Sequence, residues 1–146
     1  MQLYFKKLTP SAILPKRATA YSAGADLYAC LEDSVIIHPG ETVMIPLGIA
    51  FQPSDPETVT LIFPRSGLAS QHGITLANAV GVVDSDYRGE WKVPLHNISP
   101  EPFRIDHGMR IAQAVLMSVT FPEILETDTL DDTIRGSSGF GSSGIN

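Results

Sequence analysis

The sequence contains a single cysteine, Cys30, in 146 residues. One thiol excludes a disulfide within the chain and any metal site built only from cysteines. Cys30 has apolar neighbours in the sequence, so we expect a buried thiol with a structural role. The four histidines are not spaced with another His, a Cys or an acidic pair in the manner of zinc ligands, and a zinc site held by the protein is therefore not expected.

Long apolar runs and an excess of cations are also missing. No stretch approaches the roughly 20 apolar residues of a membrane span, and the first residues lack the order of a signal peptide. Ten Lys and Arg stand against 16 Asp and Glu, which gives a formal charge of −6. A nucleic acid would be repelled, whereas a few arginines in a cleft can still bind a small anion. We expect a cytoplasmic protein that binds neither membranes nor nucleic acid.

Proline and glycine are plentiful, with 11 and 12 residues, and they separate short β-rich segments. Pro39-Gly40, Pro53 and Pro64 end such segments. The alternation from Ile111 to Val119 predicts a strand whose odd-numbered residues share one face. Short strands at regular spacing indicate one all-β domain, which could be a barrel, a sandwich or a jelly roll.

One short helix is predicted within the β region. Ser66 can cap its first turn and Gly73 can end it. Such a helix start, with Gly67 in the first turn, presents free N–H groups to an anion beside the Arg65 guanidinium and the Ser66 hydroxyl. An ordinary capped helix with a surface arginine is the alternative interpretation.

The most specific segment runs from Asn78 to Glu90, and the chain that follows it continues as a strand to Asn97. Its pattern predicts a β-hairpin made of one strand, a polar six-residue tip and a return strand. A strand that lacks a partner along part of its length can offer backbone donors and acceptors to the edge of a base. Asp84 is a candidate general base or the cap of a local turn, and Tyr87 offers a flat ring. Taken alone, the segment favours a solvated hairpin turn over an active site.

Residues 135–146 are rich in Gly and Ser and have too little apolar surface to fold alone. We therefore expect a β domain over residues 1–134, followed by a flexible arm. The arm carries one arginine, Arg135, which is suited to phosphate, and one ring, Phe140, which is suited to stacking. A plain flexible tail is the alternative.

Five separated motifs resemble, in order, the signature motifs of the homotrimeric dUTPase family. They are Ser22-Ala23-Gly24-Ala25-Asp26-Leu27, Pro64-Arg65-Ser66-Gly67-Leu68-Ala69, Gly81–Glu90, Arg110-Ile111-Ala112-Gln113 and Arg135–Gly144. The resemblance implies a distorted β-jelly roll that forms homotrimers with active sites shared between subunits. It also implies hydrolysis of dUTP to dUMP and pyrophosphate, which keeps uracil out of DNA and supplies dUMP for dTMP synthesis.

The resemblance further implies roles for individual residues. Asp84 would activate the water that attacks the α-phosphorus, and Tyr87 would stack on the deoxyribose where a 2′-hydroxyl would lie. The uracil edge would be held by Asn78, Gly81 and Val82. The residues expected to contact phosphate or to cover the bound nucleotide are Arg65, Ser66, Gly67, Gln113, Arg135, Phe140, Gly141 and Ser142.

Mg²⁺ would arrive on the triphosphate with mostly water ligands and no direct protein ligand. Asp26 would reach its hydration shell or stabilise the subunit interface, and Arg110 would support the site or the trimer. Three positions depart from the family pattern. Gln71 replaces a common basic residue, Met109 replaces a usual Asp beside Arg110, and the arm ends Ser-Ser-Gly where Ser-Thr-Gly is common.

Two alternatives share this fold. A dCTP deaminase would need a glutamate general acid and base near the pyrimidine, and Glu90 lies only six residues beyond Asp84. A protein of the dUTPase type could instead act as a nucleotide-gated regulator through its surface.

Overall fold

The computed structural model describes residues 2–137, in which nearly all regular structure is β-strand. The strands are β1 (Leu3–Lys7), β2 (Lys16–Arg17), β3 (Ala25–Tyr28), β4 (Val35–Ile37), β5 (Thr42–Pro46), β6 (Ile49–Pro53), β7 (Thr58–Pro64), β8 (Ile74–Leu76), β9 (Gly81–Asp84), β10 (Lys92–Asn97), β11 (Phe103–Ile105) and β12 (Arg110–Ser118). The helix of the described residues, α1, spans Ser66–His72. The predicted all-β class with one short helix is confirmed.

The strands form four antiparallel sheets, in the orders β1–β6, β5–β10–β8, β11–β4 and β2–β3–β12–β7–β9. Most neighbours in a sheet are distant in sequence, so the chain crosses repeatedly between layers. The apolar run from Glu41 to Phe51 shows this, since it is divided between β5 and β6, which belong to different sheets. The longest strand, β12, occupies the middle of the five-stranded sheet.

The hydrophobic core lies between the sheets and draws on most of the strands. Its largest fully buried apolar side chains are Leu27, Ile37, Ile45, Leu47, Ile49, Ile74, Val93, Leu95, Ile105 and Ile111. The ring of Trp91 packs edge-on against Phe5 and Phe51, with centroids 5.8 and 4.7 Å away. Full burial of a Val, Leu, Ile or Phe side chain contributes about 1.5–3 kcal/mol to the stability of the fold. Trp91 therefore anchors the end of the segment that follows β9.

The predicted hairpin between Asn78 and Asn97 is wrong. β9 pairs with β7, whereas β10 pairs with β5 and β8 in another sheet. The chain passes from one sheet to the other before β10, and Trp91 and Val93 are buried in the core at this point. The two strands of a hairpin would instead pair within one sheet. β9 is consequently the edge strand of its sheet, and its outer edge pairs with no other strand within residues 2–137.

The predicted alternation along β12 fails at Ile111. The register with β3 shifts between Arg110 and Ala112, and both Ile111 and Ala112 are buried. A β-bulge of this kind re-aims the side chain next to it. Arg110 lies opposite Tyr28 and therefore shares a face with Asp26, two residues earlier on β3. The strand also ends one residue before the predicted Val119.

The C-terminal end of α1 agrees with the prediction, and the N-terminal end does not. Gly73 ends the helix with a φ of 63°, and its N–H donates to the carbonyl of Ala69. The N-cap residue is Arg65, not Ser66, because the backbone of Arg65 is still extended. Ser66 is the first helical residue, and no side chain caps the first turn.

Among residues 2–137, no helix reaches the length and hydropathy of a membrane-spanning segment.

Cys30 is half-buried rather than fully buried. Its Sγ lies 3.3 Å from Thr9 Oγ1, and the side chain packs against the core. The expected structural role is compatible with these contacts.

Replacing Gly73 with alanine should cost more stability than replacing Gly40, although both glycines have a positive φ. A Cβ at Gly73 would lie 2.9 Å from the backbone nitrogen of Ser99, whereas a Cβ at Gly40 would meet nothing within 4 Å. We expect a loss of about 1 kcal/mol for Gly40→Ala from backbone strain. Gly73→Ala should lose a further ~1–3 kcal/mol, because the Ser99 backbone must shift. Urea unfolding at equal protein concentration measures both, and equal losses would contradict the close contact.

Candidate functional site

Asp26 joins two arginines that come from separate segments of the chain. Arg65 Nε donates to Asp26 Oδ1 at 2.9 Å, and Arg110 Nη1 donates to Asp26 Oδ2 at 3.2 Å. The Asp26 side chain is 15% exposed, so these charge-assisted bonds are partly shielded from water. The β-bulge at the start of β12 is what turns Arg110 toward this carboxylate. Despite the departure at Met109, Arg110 thus has a charge partner in Asp26.

Gln113 extends this polar group along the sheet. It lies opposite Asp26 in the register of β12 and β3, and its Nε2 donates to the carbonyl of Pro64 at 3.0 Å. Gly24 makes room for the side chain, because a Cβ there would lie 2.5 Å from Gln113 Oε1. Gln113 therefore holds the residue directly before Arg65.

The first turn of α1 follows Arg65 and faces solvent. Ser66 and Gly67 are exposed, while Leu68 is buried and fixes the helix to the core. A Cβ at Gly67 would meet no atom within 4 Å. The helix start is therefore accessible to a ligand, with backbone N–H groups that no side chain caps.

A second group of predicted residues surrounds a cavity of about 500 Å³, a volume typical of small-ligand sites. From the predicted set, the cavity is lined by Asn78, Gly81, Val82, Asp84 and Tyr87.

The wall of this cavity is the edge strand β9. Val82 on that strand is 64% exposed. Gly81 allows β9 to lie close to β7, because a Cβ at Gly81 would be 3.1 Å from the Cβ of Ile62. The unpaired backbone edge is the feature expected of a strand that contacts a base edge.

Asn78 lies in a turn before β9, not in the strand predicted for it. The next residue, Ala79, has a φ of 60°, a left-handed conformation that costs a non-glycine residue about 1–2 kcal/mol. Two backbone hydrogen bonds hold this turn, from Ala79 N to the Leu76 carbonyl and from Val80 N to the Asn78 carbonyl. Strain of this kind persists where the surroundings determine the backbone, and functional sites are a common location.

Asp84 ends β9 at the mouth of the cavity and is exposed. Its carbonyl accepts a hydrogen bond from Tyr87 N at 3.1 Å, so the backbone alone closes the turn. The Asp84 carboxylate forms no hydrogen bond with any other residue of the 2–137 range. It is therefore open to water and to a ligand rather than used as a turn cap.

The ring of Tyr87 lies over Gly89. A Cβ at Gly89 would collide with the phenol of Tyr87, so only glycine permits this ring position. The Tyr87 hydroxyl donates to the carbonyl of Glu90 at 3.2 Å. The turn after β9 thereby fixes a flat ring against the cavity.

The Glu90 carboxylate lines the cavity but is occupied by structural contacts. Its Oε1 accepts a hydrogen bond from Gly48 N at 3.1 Å, and its Oε2 lies 3.5 Å from Lys92 Nζ. A general acid and base must exchange a proton with the substrate, and these contacts direct Glu90 toward the fold instead. Glu90 therefore does not fit the role of general acid and base that the dCTP deaminase alternative requires.

The polar group around Asp26 and the cavity beside β9 are separate in one chain. The cavity lining within residues 2–137 includes none of Asp26, Arg65, Ser66, Gly67 and Gln113. Arg135 lies in the exposed segment that follows β12. Three further predicted residues, Phe140, Gly141 and Ser142, lie outside the described residues.

A family model described as dUTPase matches residues 10–144. The deoxyuridine 5'-triphosphate nucleotidohydrolase of Hahella chejuensis is 48% identical over 139 residues, which cover 95% of this chain and 91% of that protein. The protein of the same name from Psychromonas ingrahamii is 49% identical over 131 residues, covering 90% and 87% respectively.

A solved structure of the Staphylococcus bacteriophage 80alpha dUTPase with dUPNHPP has a similar fold. Its TM-score is 0.88 at 25% identity, and the match covers 99% of each chain. The fold is accordingly the jelly-roll-like β fold that the motifs implied. Because the family match spans nearly the whole sequence and close to half of the residues are identical in these relatives, the chain belongs to the dUTPase family.

Proposed function

We propose that this chain hydrolyses dUTP to dUMP and pyrophosphate, and thereby keeps uracil out of DNA and supplies dUMP for dTMP synthesis. The observation that carries the proposal is the cavity beside β9, where an unpaired strand edge, an exposed carboxylate and a fixed aromatic ring meet. The relatives that share nearly half of the sequence bear the name of this activity.

Uracil would bind along the free edge of β9, with Asn78 and the backbone of Gly81 and Val82 as its partners. A pocket that pairs with the donor and acceptor pattern of uracil leaves buried groups unpaired when cytosine enters, which is costly. The close approach of β9 to the base would exclude the 5-methyl group of thymine. Tyr87 would stack on the deoxyribose and fill the space of a 2′-hydroxyl.

Asp84 would act as the general base. Its carboxylate takes a proton from water as the water oxygen forms a bond to the α-phosphorus. The bond between the α-phosphorus and the bridging oxygen breaks in line, and its electron pair leaves with pyrophosphate. Positioning and charge stabilisation would supply most of the rate increase.

The phosphates would be bound by Arg65, Ser66, Gly67 and Gln113 of a neighbouring subunit, since these residues are separate from the cavity in one chain. We infer a homotrimer with shared sites. The outer face of the five-stranded sheet supports this inference, because it carries apolar side chains that a single chain leaves half-buried or exposed. They are Val59, Leu61, Phe63, Val82, Val115 and Met117. Such a surface is typical of subunit contacts.

Mg²⁺ would accompany the triphosphate and neutralise charge on the departing pyrophosphate. Asp26 fits a contact through water, because both of its oxygens already accept hydrogen bonds from guanidinium groups. No cluster of three or more acidic, His or Cys side chains arranged for a metal ion occurs within residues 2–137. The donor set therefore fits an ion held mainly by substrate and water.

The arm, residues 135–146, would close over the nucleotide bound to the β domain of residues 1–134. Arg135 would reach the γ-phosphate and Phe140 would stack over the uracil. Gly141 and Ser142 would wrap the phosphates with backbone and hydroxyl donors. Closure of this kind excludes water other than the attacking molecule.

The proposed activity is tested by pyrophosphate release from dUTP, dTTP, dCTP and UTP at equal concentration with Mg²⁺. We expect turnover of dUTP to exceed that of each other nucleotide by at least about 100-fold. Cytosine would leave polar groups unpaired, the methyl group of thymine would meet β9, and the 2′-hydroxyl of UTP would meet Tyr87. Ammonia release from dCTP with dUTP untouched would replace the proposal with the deaminase alternative.

Asp84→Asn should retain nucleotide binding and lose turnover by about 100-fold or more, since the proton acceptor is gone. The measurements are turnover of dUTP and the dissociation constant of a non-hydrolysable dUTP analogue. Asp86→Asn is the matched control, because it removes a like charge from the same turn without removing the proposed base. Near-normal turnover in Asp84→Asn would refute the assignment.

Removal of residues 135–146 should reduce turnover strongly while the trimer stays assembled, because the arm contributes to the closed site rather than to the sheet face. Sedimentation reports the assembly, and dUTP turnover reports the loss. A chain that lacks only residues 145 and 146 serves as the control, since the motif ends at Gly144. A monomeric full-length chain would contradict the shared site.

A further inference from the structure

Lys16 lies in the same row of the sheet as two residues already assigned to the site. It is opposite Asp26 in the register of β2 and β3, and Asp26 is opposite Gln113 in the register of β3 and β12. Directly opposed residues share a face, with Cβ atoms roughly 4.5–5.5 Å apart. Lys16 therefore stands beside the Asp26 carboxylate on the face that carries Gln113.

The charges near Lys16 favour an anion. Arg65 and Arg110 share the Asp26 carboxylate, whereas Lys16 is exposed and forms no salt bridge with residues 2–137. Lys16, Asp26 and Arg110 line one surface cavity of about 590 Å³. Three cations thus face one carboxylate in a chain whose formal charge is −6. This local excess of positive charge attracts anions against the overall field.

We propose that Lys16 is a further binding residue for the β- and γ-phosphates of the substrate. An ammonium group binds phosphate as a compact point charge and needs no fixed pairing geometry. The Lys16 ammonium is accessible to a ligand, because the two oxygens of Asp26 already accept hydrogen bonds from guanidinium groups. The proposal rests on the function proposed above and adds a contact to the same site. It assigns the contact to the terminal phosphates, which dUMP lacks.

The test measures dissociation constants of a non-hydrolysable dUTP analogue and of dUMP, with Mg²⁺ at low ionic strength. Lys16→Gln should weaken binding of the analogue about three- to fivefold, and Lys16→Glu should weaken it about ten- to 25-fold. Lys16→Arg should restore binding, since the charge is retained. The affinity for dUMP should stay unchanged in all three variants. The loss in Lys16→Gln should shrink as salt is raised, because exposed charges are screened.

Lys7→Gln is the matched control, because Lys7 lies on β1 in a different sheet. Lys7 is exposed, forms no salt bridge within residues 2–137 and does not line the cavity that Lys16 shares with Asp26 and Arg110. The substitution removes the same unit of charge by the same change of side chain. It should change the affinity for the analogue by less than about twofold.

Equal affinity of the wild-type and Lys16→Gln chains for the analogue would overturn the proposal. A matching loss of affinity for dUMP would also overturn it, as would the same loss in Lys7→Gln. The wild-type chain is assayed in parallel for pyrophosphate release from dUTP. Binding of the analogue without such release would count against the proposed hydrolysis, and the Lys16 comparison would still be decided by the dissociation constants.

Discussion

The antiparallel register of β12 in the five-stranded sheet is the constraint on which the candidate site depends. It sets Gln113 opposite Asp26 on one side, and through β7 it sets the position of β9 on the other. Because side chains alternate with a period of two, a slip of one residue would turn this whole set to the opposite face. The buried residues Ile62 and Ala112 on the inner face oppose such a slip, since they would then lie in solvent.

The bulge in β12 keeps the Arg110 guanidinium out of the core, whereas a regular strand would bury it. In strict alternation, Arg110 would share the inner face with Ala112 and would bury a guanidinium in the core. The register shift sends both Ile111 and Ala112 inward and leaves Arg110 with Asp26. Removal of Asp26 would leave two guanidinium groups facing each other without a counter-charge. The carboxylate therefore holds β3, β12 and the start of α1 in one arrangement.

Some local features of the fold could be predicted from the sequence, whereas the N-cap of α1 and the features decided by distant contacts could not. The end of α1 at Gly73 is coded by a glycine at the position that needs a positive φ. The hairpin failed because its outcome depends on Trp91 packing with Phe5 and Phe51, which are far away in sequence. The bulge, too, could not be predicted from alternation. Asp26 meets partners 39 and 84 residues away, so only the folded sheet brings them together.

The five motifs predict the residues of the candidate site, and the resemblance they carry implies a site shared between subunits. Which of these residues one chain keeps together could not be predicted from the sequence. Nothing in the spacing of Asp84 and Arg65 indicates that one chain keeps them in separate groups, with Asp84 on the edge strand β9 and Arg65 bound to Asp26 on β3. The motifs predict which groups would bind a triphosphate. The order of the strands determines which of these groups lie together in a single subunit. Phe140 and its neighbours remain a prediction from the motif alone.

The sheet order also gives a physical reason for the proposed shared site. Hydrolysis needs the base pocket beside β9 and the phosphate-binding cations at the same α-phosphorus, but β12 and β7 lie between β9 and β3 in one chain. The intervening positions on that face are apolar and only partly buried, including Leu61 and Val115. Packing of this strip against other copies would remove apolar surface from water and bring the polar row of one chain toward the β9 edge of another. The same association would lower the local dielectric around the arginines, so assembly and phosphate binding would strengthen each other.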